Sequence, residues 1–246
     1  MQQGLGAAPP PQDDFVRAVL LTFDPTLPAG GIRAAAHSYC EQVKASPDGW
    51  RLCLQQLHSV TLARGSDQVK FWCLNVLNEV AEKRYAAFSD EERTVMRRSL
   101  MLYVRDVIPP VAPLAGFLQN KLCGIFVHIV KHDYLQAWPS FFSDFLSMLD
   151  KGPDVIDVFV RLLRTVDEEV VQSAGGGSSG MQADSKDNRS SKNPEHERCT
   201  AIKDRMRERD VPAIVDAIIS ICNLYHQSRP ALVAAALDAF SDYVSW

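Results

Sequence analysis

Residues 117–149 read FLQNKLCGIFVHIVKHDYLQAWPSFFSDFLSML, and this stretch decides the fold class of the chain. In each half, apolar residues recur every three or four positions, which is the spacing of one face of an α-helix. The stretch therefore predicts two amphipathic helices joined by a tight turn, each with a polar stripe opposite its apolar face. Such a hairpin cannot bury its apolar surface alone and has to stack on similar hairpins. The pattern favours a solenoid that works through its surface over an enzyme with a pocket.

The same helical pattern continues along the chain, and no run with the period-two alternation of a β-strand interrupts it. We predict helices near 13–23, 30–44, 47–63, 67–84, 89–107, 115–132, 134–150, 154–171, 195–225 and 229–245. Grouped in pairs, they make about five hairpins of roughly 40 residues, the period typical of HEAT repeats. The sequence therefore predicts an all-α fold, a right-handed α-solenoid of HEAT-type helical hairpins.

Helix start signals recur between these segments. The SPD sequence at 46–48 places a capping serine before a proline, and Ser89 and Glu92 have the spacing of a capping box. The GPD sequence at 152–154 ends one helix and opens the next, and the SRP sequence at 228–230 opens the last predicted helix. These signals support the predicted boundaries independently of the apolar pattern.

Two segments fall outside the helical pattern. Residues 1–12 are rich in Gly, Ala, Pro and Gln, and we predict a disordered N-terminal tail there. Residues 173–193 are rich in Gly, Ser, Asp and Lys, and we predict a flexible insert within the solenoid at 13–246. The GGGSSG run in that insert is not a phosphate-binding loop, because no Lys-Ser or Lys-Thr pair follows it and no strand precedes it.

Composition excludes several classes of function. The net charge is −4, whereas a general nucleic-acid binder is usually basic, so any RNA contact has to come from a local patch. The six cysteines form no CxxC pair, which favours reduced packing cysteines in a cytosolic or nuclear protein. No apolar run is long enough to cross a membrane. We therefore expect no membrane insertion.

Motifs for catalysis and metal binding are weak. His128 and His132 have the spacing of a zinc-peptidase helix, but Ile129 stands where that motif requires a glutamate, and no third ligand is evident. A solvated polar face is the favoured interpretation of the two histidines. No nucleophile motif or dinucleotide-binding turn is present either. We predict no catalytic residue, no metal site and no cofactor.

The helix predicted at 67–84 carries an aromatic residue on its polar side. At 100° per residue, Trp72 falls on the apolar arc with five aliphatic or cysteine residues, and Phe71 falls on the opposite arc beside Asn75. An aromatic residue on a polar stripe is either covered by the next hairpin or presented to a partner. Burial by the next hairpin is the favoured interpretation, because stacked repeats commonly bury both faces of a helix.

Two further predicted helices carry polar stripes. On the helix at 115–132 the stripe surrounds Gly124, where a partner backbone could approach closely, and we predict that both of its lysines are exposed. The stripe residues of the two helices are Asn120, Lys121, His128 and Lys131 on the first, and Arg161 and Arg164 on the second. Because second helices of HEAT pairs line the concave face, these stripes form a candidate surface for a folded partner. A solvated face without a partner remains the alternative.

The stretch EHERCTAIKDRMRERD at 195–210 contains candidate phosphate contacts, namely Lys203, Arg205, Arg207 and Arg209. The same stretch contains acidic residues that nearly cancel the positive charge. A solvated helix stabilised by salt bridges is therefore favoured over an RNA-binding element.

Several of these segments resemble the N-terminal region of the exportin-T family, the karyopherins that carry tRNA out of the nucleus. The resemblance looks closest to the plant or algal branch and extends over about residues 13–246. It is carried by SPDGWRLCLQQL (46–57), DQVKFWCLNVL (67–77), residues 117–149, VIDVFVRLLRTVDEEVV (155–171), IKDRMRERDVPAIVDAI (202–218) and DYVSW (242–246). The segments at 67–77 and 117–149 are shared with related exportins, and the last two are more particular to the tRNA carriers.

The resemblance implies a superhelix of HEAT repeats that binds the small GTPase Ran in its GTP form together with tRNA, contacts nuclear pore proteins and shuttles between nucleus and cytoplasm. GTP would then be present only as bound to Ran. By resemblance, the Ran contacts are assigned to Phe71, Asn75, Asn120, Lys121, His128, Lys131, Arg161 and Arg164. Another exportin, or a general HEAT-repeat scaffold for a protein cargo, is the alternative.

Two departures from the family accompany the resemblance. The insert at 173–193 is longer than the family's connection, which a surface loop tolerates. The chain also stops at Trp246, whereas family members continue through many more hairpins. We therefore expect a truncated form, with an apolar surface on its last hairpin, that does not clamp tRNA by itself.

Overall fold

The computed structural model describes residues 12–59, 66–111, 113–174 and 194–244. Its longer helices, in chain order, are α1 (Gln12–Phe23), α2 (Ile32–Ala45), α3 (Gly49–Leu57), α4 (Asp67–Lys83), α5 (Asp90–Leu102), α6 (Gly116–Asp133), α7 (Phe141–Leu146), α8 (Pro153–Val166), α9 (Pro194–Arg209), α10 (Val211–Tyr225) and α11 (Pro230–Val244). Short 3₁₀ turns lie at Tyr85–Ala87 and Leu149–Lys151. No strand occurs in these ranges, so the all-α prediction is confirmed.

Two helices continue beyond their α-helical bounds as π-helix. After α5 the chain forms a π-helical segment at Tyr103–Val107 and a short turn of α-helix at Ile108–Val111. After α8 the same sequence of elements follows at Asp167–Val171 and Gln172–Ala174. None of the helices in the described ranges has the length and hydropathy that crossing a membrane requires.

The chain divides within α6 into two compact units, one ending at Lys121 and one beginning at Leu122. In the first unit, α1 packs against α2 and α3 packs against α4, so helices adjacent in sequence form hairpins. The last turn of α2 and the first residue of α3 lie so close together that a Cβ on Gly49 would collide with the carbonyl oxygen of Val43. A glycine is therefore required where this unit's second hairpin begins.

In the second unit, α10 packs against α11, and α11 also packs against α8. An aromatic cluster fills the interior, with ring centroids 5.2 Å apart for Phe126 and Phe145 and 6.0 Å apart for Phe145 and Phe159. Phe141 and Phe142 of the same AWPSFFSDFL stretch are fully buried. The HEAT-type pairing of helices is thus confirmed. The handedness of the superhelix stays a prediction.

The helix starts predicted at 89 and 154 are confirmed to within one residue. Ser89 Oγ accepts a hydrogen bond from the Glu92 amide at 3.2 Å, and the Glu92 carboxylate accepts one from the Ser89 amide at 3.0 Å. Gly152 adopts φ 125°, a left-handed conformation that glycine tolerates, and Pro153 is the first residue of α8. The last helix begins at Pro230, one residue after its predicted start.

Three predicted helices are wrong in extent. Among its described residues, the helix predicted at 47–63 is α-helical only at Gly49–Leu57, where Asp48 rather than Ser46 is the capping residue. The segment predicted as one helix at 134–150 is α-helical only at Phe141–Leu146, because Pro139 interrupts the pattern. The Trp138 indole before α7 donates to Asp144 Oδ2 within α7 at 2.8 Å. The segment predicted as one helix at 195–225 is two, α9 and α10, which meet at Asp210. Pro212 opens α10, where its missing amide hydrogen costs nothing.

Most of the predicted tail (1–12) and insert (173–193) lies outside the described residues. The exceptions are Gln12, which begins α1, and residues 173–174, which belong to the helical turn after α8. Residues 60–63 of the third predicted helix and Trp246 also lie outside the described ranges.

Candidate functional site

Helix α4 places Phe71 on its outward side, as the periodicity predicts, and the structure shows partial cover. The Phe71 ring is half-buried and contacts the ring of Phe117, with centroids 5.7 Å apart at 61°. Phe117 lies in the first turn of α6 and is 49% exposed itself. Asn75 is half-buried on the same outward side of α4. Phe71 is therefore packed against the next hairpin and still reaches a surface.

Trp72 corrects the predicted core of α4. The other residues of its apolar arc are buried, namely Val69, Cys73, Val76, Leu77 and Val80. Trp72 is only half-buried, and its ring packs edge-on to Phe15 with centroids 5.2 Å apart. Because Phe15 comes from α1, the indole covers the seam between two helices of the first unit rather than filling its centre.

A groove opens beside Phe71 in the first unit. The groove is open to solvent, has a volume of about 500 Å³ and is lined by Phe23, Asp67, Gln68, Phe71 and Phe117, a set that we call the aromatic groove. The residues come from the end of α1, the first two turns of α4 and the first turn of α6. Sequence reasoning found only Phe71. Phe117 could have been noticed because an exposed aromatic residue in the first turn of a helix has no packing role within that helix.

The polar stripe on α6 is less exposed than predicted at both of its lysines. Asn120 is exposed, and Lys121 and His128 are half-buried. Lys131 is only 19% exposed, and its Nζ lies 3.4 Å from a Glu169 carboxylate oxygen and 3.6 Å from one of Glu195. The prediction that Lys131 is exposed is wrong, because two carboxylates from the π-helical segment and the first turn of α9 converge on its ammonium group.

On α8, the two predicted arginines differ in exposure. Arg161 is half-buried, and its charge acts on the Cys123 thiol of α6, whose pKa burial nevertheless raises to about 12. Arg164 is exposed near Asp242 of α11. Burial and the nearby Asp167 raise the pKa of the Asp242 carboxyl, and the Arg164 charge opposes them. Arg164 is thus the more accessible of the pair.

The four candidate phosphate contacts on α9 do not form one patch. At 100° per residue they divide into two pairs on opposite flanks of the helix, separated by an exposed acidic ridge. The first pair is Lys203 and Arg207, the second is Arg205 and Arg209, and the ridge consists of Glu197, Asp204 and Glu208. An acidic ridge repels phosphates, so this arrangement favours the interpretation as a solvated helix with mixed charges.

Arg209 belongs to a structural cluster where α9 meets α10. Its guanidinium donates to the carbonyl oxygen of Pro139 and to Asp210 Oδ2 (3.1 Å), and it lies 5.4 Å from the centroid of the Tyr134 ring. The Tyr134 hydroxyl donates to the same carboxylate oxygen of Asp210. Burial, reinforced by this hydrogen bond, raises the pKa of Tyr134. The cluster ties the helix break to the turn that precedes α7.

Neither the histidines nor the cysteines form a reactive site in the part of the chain that the structure describes. His128 and His132 lie on one helix, and no group of three His, Cys, Asp or Glu residues in the described ranges is arranged to hold a metal ion. Five cysteines are buried and Cys222 is half-buried, all with free thiols. Burial raises the pKa of Cys40 to about 11, which keeps that thiol protonated near neutral pH. The cysteines pack as small apolar residues.

The chain is similar to proteins named as exportins. The family model described as "Exportin 1-like protein" matches residues 115–246, which is more than half of the chain. The match begins one residue before α6 and includes the described part of the second unit.

Curated relatives extend the similarity over most of the chain. The exportin-T of Dictyostelium discoideum is 32% identical over 234 residues, which cover 95% of this chain and 20% of that protein. The Arabidopsis thaliana exportin-T is 31% identical over 241 residues (95% and 22%), and the Mus musculus exportin-T is 30% identical over 214 residues (87% and 21%). These identities do not separate a plant branch from the others. The chain spans about a fifth of the length of the relatives it matches.

Proposed function

The chain belongs to the exportin 1-like family, and on this premise we propose that it forms the Ran-GTP-binding part of a nuclear export receptor for tRNA. The observation that carries the proposal is the similarity to exportin-T proteins over 87–95% of the chain. Because the chain spans only about a fifth of those proteins, their complete activity is proposed here for the longer receptor. The proposed receptor is not an enzyme and works by forming complexes.

The proposed Ran contacts are side chains that reach the surface. In the first unit they are Phe71, Asn75, Asn120 and Lys121, of which Asn120 is the most accessible. In the second unit they are His128, Arg161 and Arg164. Lys131 belongs to the same set by resemblance, and its ammonium group is already paired with two carboxylates of the chain. Mixed polar and aromatic side chains of this kind suit a folded protein partner better than a nucleic acid.

The nucleotide state of Ran provides the test. The purified chain is immobilised, and its affinity for Ran loaded with GTP or with GDP is measured by biolayer interferometry. We expect measurable binding of the GTP form and much weaker binding of the GDP form. Equal affinity for both forms, or no affinity for either, from a chain with a cooperative thermal unfolding transition would contradict the proposal.

Lys121→Glu tests whether the proposed contact residues carry the binding of Ran-GTP. Its charge lies on the proposed contact stripe, and no ion pair holds it among the described residues. We expect it to weaken Ran-GTP binding without changing the unfolding midpoint. Arg98→Glu, an exposed cation on α5 outside the proposed contact set and without an ion pair among the described residues, is the control.

The tRNA part of the proposal is tested separately. A tRNA export receptor in the Ran-GTP-bound state should prefer folded tRNA to an unstructured RNA of equal length, because the family reads tRNA by shape and backbone. The alternative, an exportin or HEAT-repeat scaffold with a protein cargo, predicts no such preference. The longer receptor is the proper sample for this competition. Shuttling between nucleus and cytoplasm through contact with nuclear pore proteins follows from the same proposal.

A further inference from the structure

We propose that the aromatic groove is an arginine-binding notch, which receives one arginine side chain from the surface of Ran. The inference rests on the proposed function, because that function supplies the partner. It goes beyond the contact residues inferred from the resemblance, since Phe23, Phe117 and Asp67 are not among them. It also gives the groove a single occupant with a defined chemistry.

The walls of the groove are suited to a cation. Three phenylalanines from three different helices converge there, and Phe117 and Phe23 remain 49% and 40% exposed. One exposed aromatic ring on a surface is ordinary, but three that meet in one groove form an apolar patch that costs free energy in water. Aromatic faces carry negative electrostatic potential and attract guanidinium and ammonium groups. The walls therefore combine apolar contact with attraction for positive charge.

The rim of the groove supplies a carboxylate. Asp67 is paired with Lys70 at 3.3 Å, but the two side chains are unequally accessible, 52% exposed for the aspartate and 13% for the lysine. Lys70 pairs with Oδ1 of the carboxylate and is the covered member of the pair, so an incoming cation would share the more exposed Asp67 with Lys70. An exposed carboxylate beside aromatic rings is complementary to an arginine, which can stack on a ring and donate two parallel hydrogen bonds to the acid.

Size and desolvation favour this occupant over others. A volume of about 500 Å³ admits one long side chain with its flanking backbone. The methylene groups of an arginine would lie along the phenylalanine rings while its guanidinium reaches the rim. An aliphatic side chain would fill the same space but would strip water from Asp67 without offering it a hydrogen bond. A phosphate or other anion would meet the carboxylate unfavourably.

The first experiment compares paired variants in Ran-GTP binding. Phe117→Leu keeps an apolar side chain but removes the aromatic face, and Asp67→Asn removes the charge but keeps the shape. We expect each to weaken binding about 5-fold or more, and the double variant to lose less than the product of the two because both act on one arginine. The matched controls are Phe240→Leu and Asp90→Asn, a half-buried phenylalanine and a first-turn aspartate outside the groove. The proposal of an arginine-binding notch would be refuted if both groove variants bind Ran-GTP with wild-type affinity, or if the control variants lose as much affinity as the groove variants.

A second experiment identifies the occupant. Surface arginines of Ran are changed to methionine one at a time, and one of them should weaken binding to the wild-type chain while having little further effect on Phe117→Leu. If no arginine behaves in this way, the assignment of the occupant is wrong.

A third measurement separates failure of the notch from failure of the proposed function. Nα-acetylarginine amide at millimolar concentration should shift the aromatic NMR signals of Phe71 and Phe117, and the neutral citrulline analogue should not. Shifts without any Ran binding would leave the notch standing and refute Ran as its partner. The absence of selective shifts would refute the notch even if Ran-GTP binds the chain.

Discussion

Reversing the charge of Lys131 is the sharpest test of how the second unit is held together. The periodicity of α6 predicts an exposed lysine whose replacement leaves stability unchanged. In the structure, its ammonium group lies 3.4 Å and 3.6 Å from the carboxylates of Glu169 and Glu195. These acids belong to the π-helical segment after α8 and to the first turn of α9, so one side chain joins three elements. Lys131→Glu should therefore destabilise the unit.

The magnitude follows from the geometry. An exposed ion pair contributes about 0.2–1 kcal/mol, and the upper end applies here because the lysine side chain is only 19% exposed. Charge reversal removes two attractions and introduces two repulsions of similar size, which gives about 2–4 kcal/mol in the free energy of unfolding. Lys131→Met removes the attractions alone and should cost about 1–2 kcal/mol. Lys121→Glu, on the same helix but without an ion pair among the described residues, should change stability by less than about 0.5 kcal/mol.

Urea denaturation followed by circular dichroism measures these differences, at low salt and in 0.5 M NaCl. The loss in Lys131→Glu should shrink at high salt, since ions screen the new repulsion. The charge-swapped variant that combines Lys131→Glu with Glu169→Lys should recover part of the stability. The reasoning is refuted if Lys131→Glu unfolds at the wild-type urea concentration. It is also refuted if the loss is insensitive both to salt and to the charge swap.

Three further changes test packing, hydrogen bonding and pH dependence. Gly49→Ala should destabilise the first unit by about 1–3 kcal/mol because the added methyl group would collide with the carbonyl oxygen of Val43. Gly30→Ala should be neutral, because a methyl group there meets no atom within 4 Å. Tyr134→Phe should cost about 1–2 kcal/mol by removing the hydrogen bond to a buried carboxylate, and Tyr39→Phe should cost nothing, because its buried hydroxyl has no partner among the described residues. Glu79→Gln should lower the thermal unfolding midpoint at pH 7 but not at pH 2. A hydrogen bond from a lysine lowers the pKa of the Glu79 carboxyl. The stabilisation from the Glu79–Lys44 contact is therefore fully present above the ordinary pKa of a glutamate. It is lost as the pH falls through the lowered pKa of Glu79.

Each change has an outcome that would contradict it. A Gly49→Ala chain as stable as wild type would mean that α2 and α3 separate easily near Val43. Equal effects of the two tyrosine changes would remove the special role of the Asp210 cluster. The control for Glu79 is Glu82→Gln on the same helix, an exposed glutamate, and an identical pH profile for both would show that the contact with Lys44 contributes nothing in solution.

The sequence predicted the features that depend on neighbouring residues. The capping box at Ser89 and Glu92 and the turn at Gly152 were correct because each is determined within four residues. The break at Asp210 was missed, although Pro212 is a signal that local reasoning can use. The turn at 134–140 was also missed. Its signal is Pro139, which lies inside an otherwise helical pattern.

The candidate site was predictable only in part, because exposure depends on what other elements bring to a side chain. A helical wheel places Lys131 on a polar arc but does not show that two acids, one of them 64 residues further along the chain, lie beside it. The same holds for Phe71, whose neighbour Phe117 comes from a different helix. Periodicity determines which side chains point outward. The contacts that outward side chains make are long-range properties that a single sequence does not encode in any local pattern.

These contacts redistribute the candidate residues between structure and binding. Lys131 and Arg209, two of the cations first considered as partner contacts, are held by acids and a backbone carbonyl of the chain itself. An internally paired cation offers little to a partner, since a new contact has to replace the old one before it contributes affinity. Phe117, which sequence reasoning passed over, remains half-exposed beside the accessible carboxylate of Asp67. The aromatic groove is therefore a stronger candidate for a binding hot spot than the basic residues of α9.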